Sequence, residues 1–339
     1  MKVLVYFQPS SKHDNFEGAR MRKTIKGALE VIGQAYTSNL YDDYDAAHFM
    51  SPDDENKLNI ALERKIPIVV SALFGEDDPA TRFLSSKTKK GKVITTLKLK
   101  ALKMLNKATL VLVPSESAKQ LLIDSGVETQ IEILIPGVNL ARFNFSREDE
   151  KELFYRYFRE EKDKKLVLAM GEYTNNMEGI NALINAAKER EDAVFYYIGC
   201  ETFAANYGNC KRIIKNAPKN MHFKTILPDD IYRSMLLNAD VFMLPGYNLS
   251  GVISIEEAMA ANCQLIVRKN AIFPELIKNE ETAYIAEHSI TLTSLCLDYL
   301  NGKIKSTTEE AYHKISTYNL ENFGRNLVNI YSSLTTDNK

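Results

Sequence analysis

Short apolar runs, rich in β-branched residues and separated by stretches that read as helix, recur along the whole chain. Four lie at 3–7, 66–72, 110–113 and 131–135, and four more at 166–170, 193–198, 241–244 and 264–267. A strand buried on both faces is apolar throughout instead of alternating, and parallel strands are of this kind because their crossover helices cover both faces of the sheet. The pattern therefore predicts α/β units built on parallel sheets. Between the two series, 146–165 is charged, helical in pattern and free of strand signals, which places a domain junction there. At 339 residues, two cores suit the chain better than one. The expected division is 1–150, 163–315 and a C-terminal helix in 316–339.

Turn chemistry supports this division. Pro114-Ser115 ends a strand, Ser115 is placed to cap a helix over 116–125, and Gly126 is its stop signal. Pro228-Asp229-Asp230 opens a helix over 231–239 in the same way, with carboxylates at the positive end of the helix dipole. A last helix is expected over 320–334.

The remaining composition excludes several classes. With 45% hydrophobic and 26% charged residues, 15 Gly and 10 Pro, the chain is neither disordered nor fibrous. The opening MKVLVYF reads as a strand, not a signal peptide, and no apolar run approaches the ~20 residues that cross a bilayer. Cys200, Cys210, Cys263 and Cys296 lack metal-site spacing and read as reduced thiols of a cytosolic protein. His48 and His222 read as structural. No Ser-His-Asp order, Walker loop or metal-ligand cluster is visible, so hydrolase and kinase readings have no support.

The net charge of −1 conceals a block from 79 to 115 with nine basic residues and no acidic one. A helix starting near Val93 would gather Val93, Ile94, Leu97, Ala101, Met104 and Leu105 on one arc and Lys92, Lys100, Lys103 and Lys107 opposite. Such a face is either a solvated helix side or an attachment to anionic lipid head groups. Leu99 and Leu102 fall outside the apolar arc and tilt the reading toward an anionic membrane surface, with Arg20, Arg22, Lys23 and Lys26 extending the patch. No aromatic platform accompanies the charges, so nucleic acid is not an expected partner.

Several longer segments carry a family resemblance. They are LVPSESAKQLLIDSGVETQIEILIPGVNLARF at 112–143, LVLAMGEY, EGINALINAAKE, DIYRSMLLNADVFMLP and GVISIEEAMAANCQLIVR. Together the chain resembles the retaining family-4 glycosyltransferases, and within them the bacterial diglycosyl-diacylglycerol synthases. The resemblance implies a GT-B fold, two Rossmann-like doubly wound domains facing a central cleft. It also implies transfer of a hexose, with retention, from a UDP-sugar to a glycolipid or glycan acceptor, without a metal or other cofactor. The protein would be cytoplasmic and peripheral on the inner face of the cell membrane.

In such a sheet the ligand sits beyond the carboxyl ends of the strands, where glycine turns and helix N-termini present N–H groups to a diphosphate. Gly171 and Gly251 are placed for this. The resemblance adds Tyr173, Ser250, Val252 and Arg268 to the donor side, and either Glu256 or Glu257 at the ribose. The family's first glutamate falls on Asn248, or on Leu249 in the other register, and neither is a carboxylate. Asn248, Glu76 and Asp77 are the candidate catalytic or acceptor contacts, and Gly18 is expected in the loop before the first helix. The family's Gly-Arg…Lys-Gly segment supplies two cations to the donor diphosphate. Here 171–179 carries Glu172 and Glu178 instead, so Lys211, Arg212 and Arg268 are the candidate replacements. These departures keep open a non-catalytic GT-B scaffold that partners an active glycosyltransferase.

Overall fold

The computed structural model describes residues 1–7, 17–52, 54–74, 84–89, 92–97, 99–143, 148–171, 177–199, 212–224, 227–246, 252–269 and 275–336, with backbone alone at 17, 84–89, 92–96 and 177. Two six-stranded parallel sheets carry the molecule. The first contains β1 (Val3–Tyr6), β2 (Tyr36–Thr37), β3 (Ala46–Phe49), β4 (Ile68–Ser71), β7 (Leu110–Val113) and β8 (Ile131–Ile133), in the order β2-β1-β3-β4-β7-β8. The second contains β9 (Lys165–Met170), β10 (Ala193–Ile198), β11 (Met221–Lys224), β12 (Val241–Leu244), β13 (Gln264–Arg268) and β14 (Tyr284–Ala286), in the order β11-β10-β9-β12-β13-β14. The apolar runs become strands because each is covered on both faces. In the second sheet Leu166, Leu168, Phe242 and Val267 feed one core, while Val167, Ala169, Met243 and Ile266 feed the core on the opposite face.

The order of the strands fixes where a ligand can enter. From β1 the chain moves outward to β2, then returns to lay β3 on the other side of β1; from β9 it moves outward to β10 and β11, then returns to lay β12 on the other side of β9. The crevices at the carboxyl ends between β1 and β3, and between β9 and β12, are the topological switch points where open α/β sheets bind ligands.

Eleven helices among the described residues surround the sheets: α1 (Glu17–Val31), α2 (Glu55–Glu63), α3 (Leu99–Leu105), α4 (Glu116–Asp124), α5 (Glu148–Phe158), α6 (Met177–Glu189), α7 (Asp229–Asn238), α8 (Val252–Ala260), α9 (Ser289–Leu300), α10 (Thr308–Ser316) and α11 (Leu320–Thr336). Ser115 caps α4 as its sequence position implies, its hydroxyl accepting from the Ala118 N–H at 3.1 Å. Gly126 follows with φ of 94°.

The halves are tied at two places. Ile253 of α8 enters the core formed by Val3, Val5, Met21 and Ile25 of the first half. The same core receives Phe323, Leu327 and Tyr331, so the final helix returns to the first half. Burying side chains of that size contributes about 1.5–3 kcal/mol each. The return demands close approach: a Cβ on Gly324 would stand 2.5 Å from the carbonyl oxygen of Ala28 on α1.

One expected element differs. The basic stretch is not a helix from Val93; β5 (Leu84–Lys89) and β6 (Lys92–Leu97) form an antiparallel pair, and α3 begins only at Leu99. Val93, Ile94, Thr95 and Thr96 are β-branched and lose side-chain freedom in a helix, whereas a strand suits them. Lys92 therefore belongs to a strand, apart from the helix that bears Lys100 and Lys103.

Candidate functional site

The carboxyl end of β9 leads directly into Gly171, which is buried and has φ of 151°. Its N–H donates to the Ile198 carbonyl at 3.2 Å. Gly199, beyond β10, has φ of 102°, and a Cβ there would stand 2.8 Å from the Gly171 carbonyl oxygen. Neighbouring strand ends thus meet backbone to backbone, and the residue types at both positions follow from that contact.

Across the same crevice, Arg268 closes β13. Its side chain falls on the sheet face of Ile266, the face that α6 and α9 cover. The Arg268 Nη2 donates to Glu178 Oε2 at 3.0 Å. The guanidinium is 1% exposed and the carboxylate 64%. Glu178 lies in the first turn of α6, the helix after β9, and β12 separates β9 from β13. The ion pair therefore spans the carboxyl end of β12, at the edge of the switch point.

A second charged cluster joins the halves. In the first turns of α1, Arg20 is 2% exposed. Its Nη1 donates to Glu257 Oε2 and, at 2.7 Å, to the Tyr232 hydroxyl; its Nη2 donates to Ser254 Oγ at 2.7 Å. The Tyr232 hydroxyl donates to Glu257 Oε2 at 3.1 Å, and the Arg20 guanidinium lies over the Tyr232 ring at 4.9 Å. Ser254 and Glu257 are three residues apart, so one face of α8 presents both to the fork of a single arginine. Burial pushes the Tyr232 hydroxyl well above its ordinary pKa, so it remains a donor to the carboxylate. Beside this cluster, burial raises Asp229, but the hydrogen bond and charge of Arg142, reinforced by Lys23 and Arg20, hold its carboxyl below its ordinary range.

Of the residues singled out by sequence, Gly171 follows β9, Arg268 closes β13, Val252, Glu256 and Glu257 lie on α8, and all five are buried. Tyr173, Ser250, Gly251, Asn248, Glu76, Asp77 and Lys211 lie outside the described residues, and Arg212 is exposed. Gly18 is not in a loop before the first helix but within α1 itself, because the helix starts at Glu17. Arg20 does not extend a surface patch; it is buried against the second half. Neither its role nor those of Tyr232 and Ser254 was legible, since the partners lie 212 to 237 residues apart. On α3, Leu99 is 64% exposed, while Leu102 is only partly so, packing onto the core. Lys100 and Lys103 are exposed, and Lys107 Nζ contacts Glu55 at 2.7 Å. Cys263 and Cys296 are buried free thiols. His48, buried between Tyr331 and Ser71 at 2.7 and 2.8 Å, has the structural role expected of it.

This architecture has known counterparts. Residues 151–305 match the family model for glycosyl transferases group 1. That segment is a group 1 glycosyl transferase domain. It begins in α5 and runs through all six strands of the second sheet, so Gly171, Glu178, Glu256, Glu257 and Arg268 all lie in it. Over nearly its whole length, the chain is 23% identical over 337 residues to the processive diacylglycerol alpha-glucosyltransferase of Acholeplasma laidlawii, covering 98% of each. Among solved structures it is similar to sucrose-phosphate synthase from Thermosynechococcus elongatus, with a TM-score of 0.74 at 13% identity, covering 99% of each chain. It is similar, too, to Anabaena Alr3699/HepE in complex with UDP and glucose, with a TM-score of 0.71 at 14% identity, covering 98% of this chain and 100% of that one. The fold is GT-B, and no helix among the described residues is long and apolar enough to cross a membrane.

Proposed function

We propose that this chain transfers a hexosyl group from a UDP-sugar to a glycolipid acceptor at a membrane surface, with retention and without a metal. The observation that carries the reading is the buried Arg268 guanidinium at the edge of the switch point of a group 1 glycosyl transferase domain, a fixed cation of the kind that stabilises a leaving diphosphate. The near full-length similarity to a diacylglycerol glucosyltransferase supports a hexosyl donor and a glycolipid acceptor. The fold shared with a protein bound to UDP and glucose supports the uridine nucleotide.

Within the site, Glu257 holds Arg20 and Tyr232 across the two halves, and Glu256, the other position the resemblance offers, is the carboxylate assigned to the ribose hydroxyls. Gly171 permits close approach of the diphosphate to the backbone. Attachment to anionic lipid uses α3, where Leu99 offers exposed apolar surface beside Lys100 and Lys103. A non-catalytic scaffold partnered with another glycosyltransferase has no specific observation in its favour.

Isothermal titration with UDP tests the donor site. Micromolar binding that Glu256→Gln abolishes supports the reading. Absence of binding by UDP, ADP and GDP at millimolar concentration contradicts it.

A further inference from the structure

Two cations are buried among the described residues, Arg20 and Arg268. Glu257 balances the first deep inside the molecule, where both partners are shielded from water. The second pair is lopsided, since the Arg268 side chain is 1% exposed and its partner Glu178 is 64% exposed. A buried guanidinium cannot leave its place, and it needs a counter-charge there. An exposed carboxylate loses little on returning to water. The exchangeable member of the pair is therefore the glutamate.

We propose that Glu178 is a tethered competitor for the donor: its carboxylate holds the Arg268 guanidinium in the empty site, and the diphosphate of a nucleoside-diphosphate sugar takes its place. This rests on the nucleotide-sugar reading above and adds to it how the site is regulated. Both anions suit a planar guanidinium, but a diphosphate carries more charge and more acceptor oxygens than one carboxylate. Displaced, Glu178 swings outward from the first turn of α6 and frees that end of the crevice. The same chemistry accounts for an acid at 178 in a segment where the resembled family places cations. The positive charge arrives from β13, and the acid on α6 neutralises it until the ligand does.

The competitor predicts an unusual direction of effect: removing a charge from the site improves binding. Titration of UDP and, separately, inorganic pyrophosphate into the wild type, Glu178→Gln and the control Glu189→Gln reads it directly. Glu189 is exposed at the far end of the same helix, so it reports the general loss of one negative charge. Glu178→Gln is expected to tighten both ligands by roughly fivefold or more over the control, a surface ion pair plus a relieved like-charge repulsion. If UDP binds the wild type and Glu178→Gln leaves it unchanged, weakens it, or gains no more than Glu189→Gln, the competitor is overturned while the nucleotide reading stands. If UDP binds neither protein but Glu178→Gln gains pyrophosphate, the exchange stands and the nucleotide reading falls. No binding of either ligand to either protein overturns both.

Discussion

The contact between Arg20 and Glu257 should be among the most sensitive in the molecule. Both side chains are almost fully buried, at 2% and 8% exposure, and the pair joins α1 of the first half to α8 of the second. Removing one member strands the other charge away from water, which costs about 3–5 kcal/mol. Replacing both by apolar residues of similar volume leaves no stranded charge and is often near neutral. Arg20→Met and Glu257→Met should therefore each lower stability by about 3–5 kcal/mol, while the double variant should lose much less than either. At about 2–4 °C per kcal/mol for domains of this size, each single variant should melt roughly 6–20 °C lower. Thermal unfolding followed by far-ultraviolet circular dichroism, completed as a double-mutant cycle, measures the coupling. Single variants that melt within about 2 °C of the wild type, or a double variant whose loss equals the sum of the singles, would contradict a buried, coupled pair.

Three further outcomes follow from other parts of the structure. Burial lowers the His48 pKa to about 3, against about 6.5 in an unfolded chain; the unfolded state thus binds the extra proton first, and stability is full above pH 6.5 and declines as pH falls toward 3. Stability measured by urea unfolding across that range should flatten in His48→Asn, and an unchanged slope contradicts the assignment. Gly324→Ala, whose Cβ would meet the Ala28 carbonyl oxygen at 2.5 Å, should part α1 from α11 and lower the melting temperature by several degrees, roughly 1–3 kcal/mol of strain. Leu99→Asp with Lys100→Glu and Lys103→Glu should abolish co-sedimentation with anionic vesicles and leave UDP affinity untouched; retained sedimentation would remove α3 as the attachment face.

The sheets were legible because a parallel strand covered on both faces leaves an uninterrupted apolar run, as in Leu110–Val113 and Val241–Leu244. β2 has only two residues, and β3 reads Ala-Ala-His-Phe with no β-branched residue, so their neighbours supply what their sequence does not. The basic stretch misled for a related reason. Its apolar residues fit a helical arc, but four successive β-branched residues decided for a strand. At the site, Arg268 could be singled out as a cation at a strand end, yet its partner Glu178 lies 90 residues earlier and enters only through the packing of α6 on the sheet. Arg20 illustrates the limit most clearly. On a helical wheel it sits well off the face of the apolar Met21 and Ile25 and resembles any surface arginine; its burial depends on a helix from the other half. Charge placement was legible wherever the strand order dictated it, and illegible wherever two distant helices had to meet.

Hexosyl transfer from a UDP-sugar to a glycolipid is tested most directly by incorporation of labelled glucose from UDP-glucose into the lipid fraction of anionic vesicles containing glucosyl-diacylglycerol. A labelled lipid product that depends on Arg268 and Glu256 is expected. Intact UDP-glucose and unlabelled lipid after prolonged incubation with galactose and glucose donors alike, from protein that binds the vesicles, would contradict it.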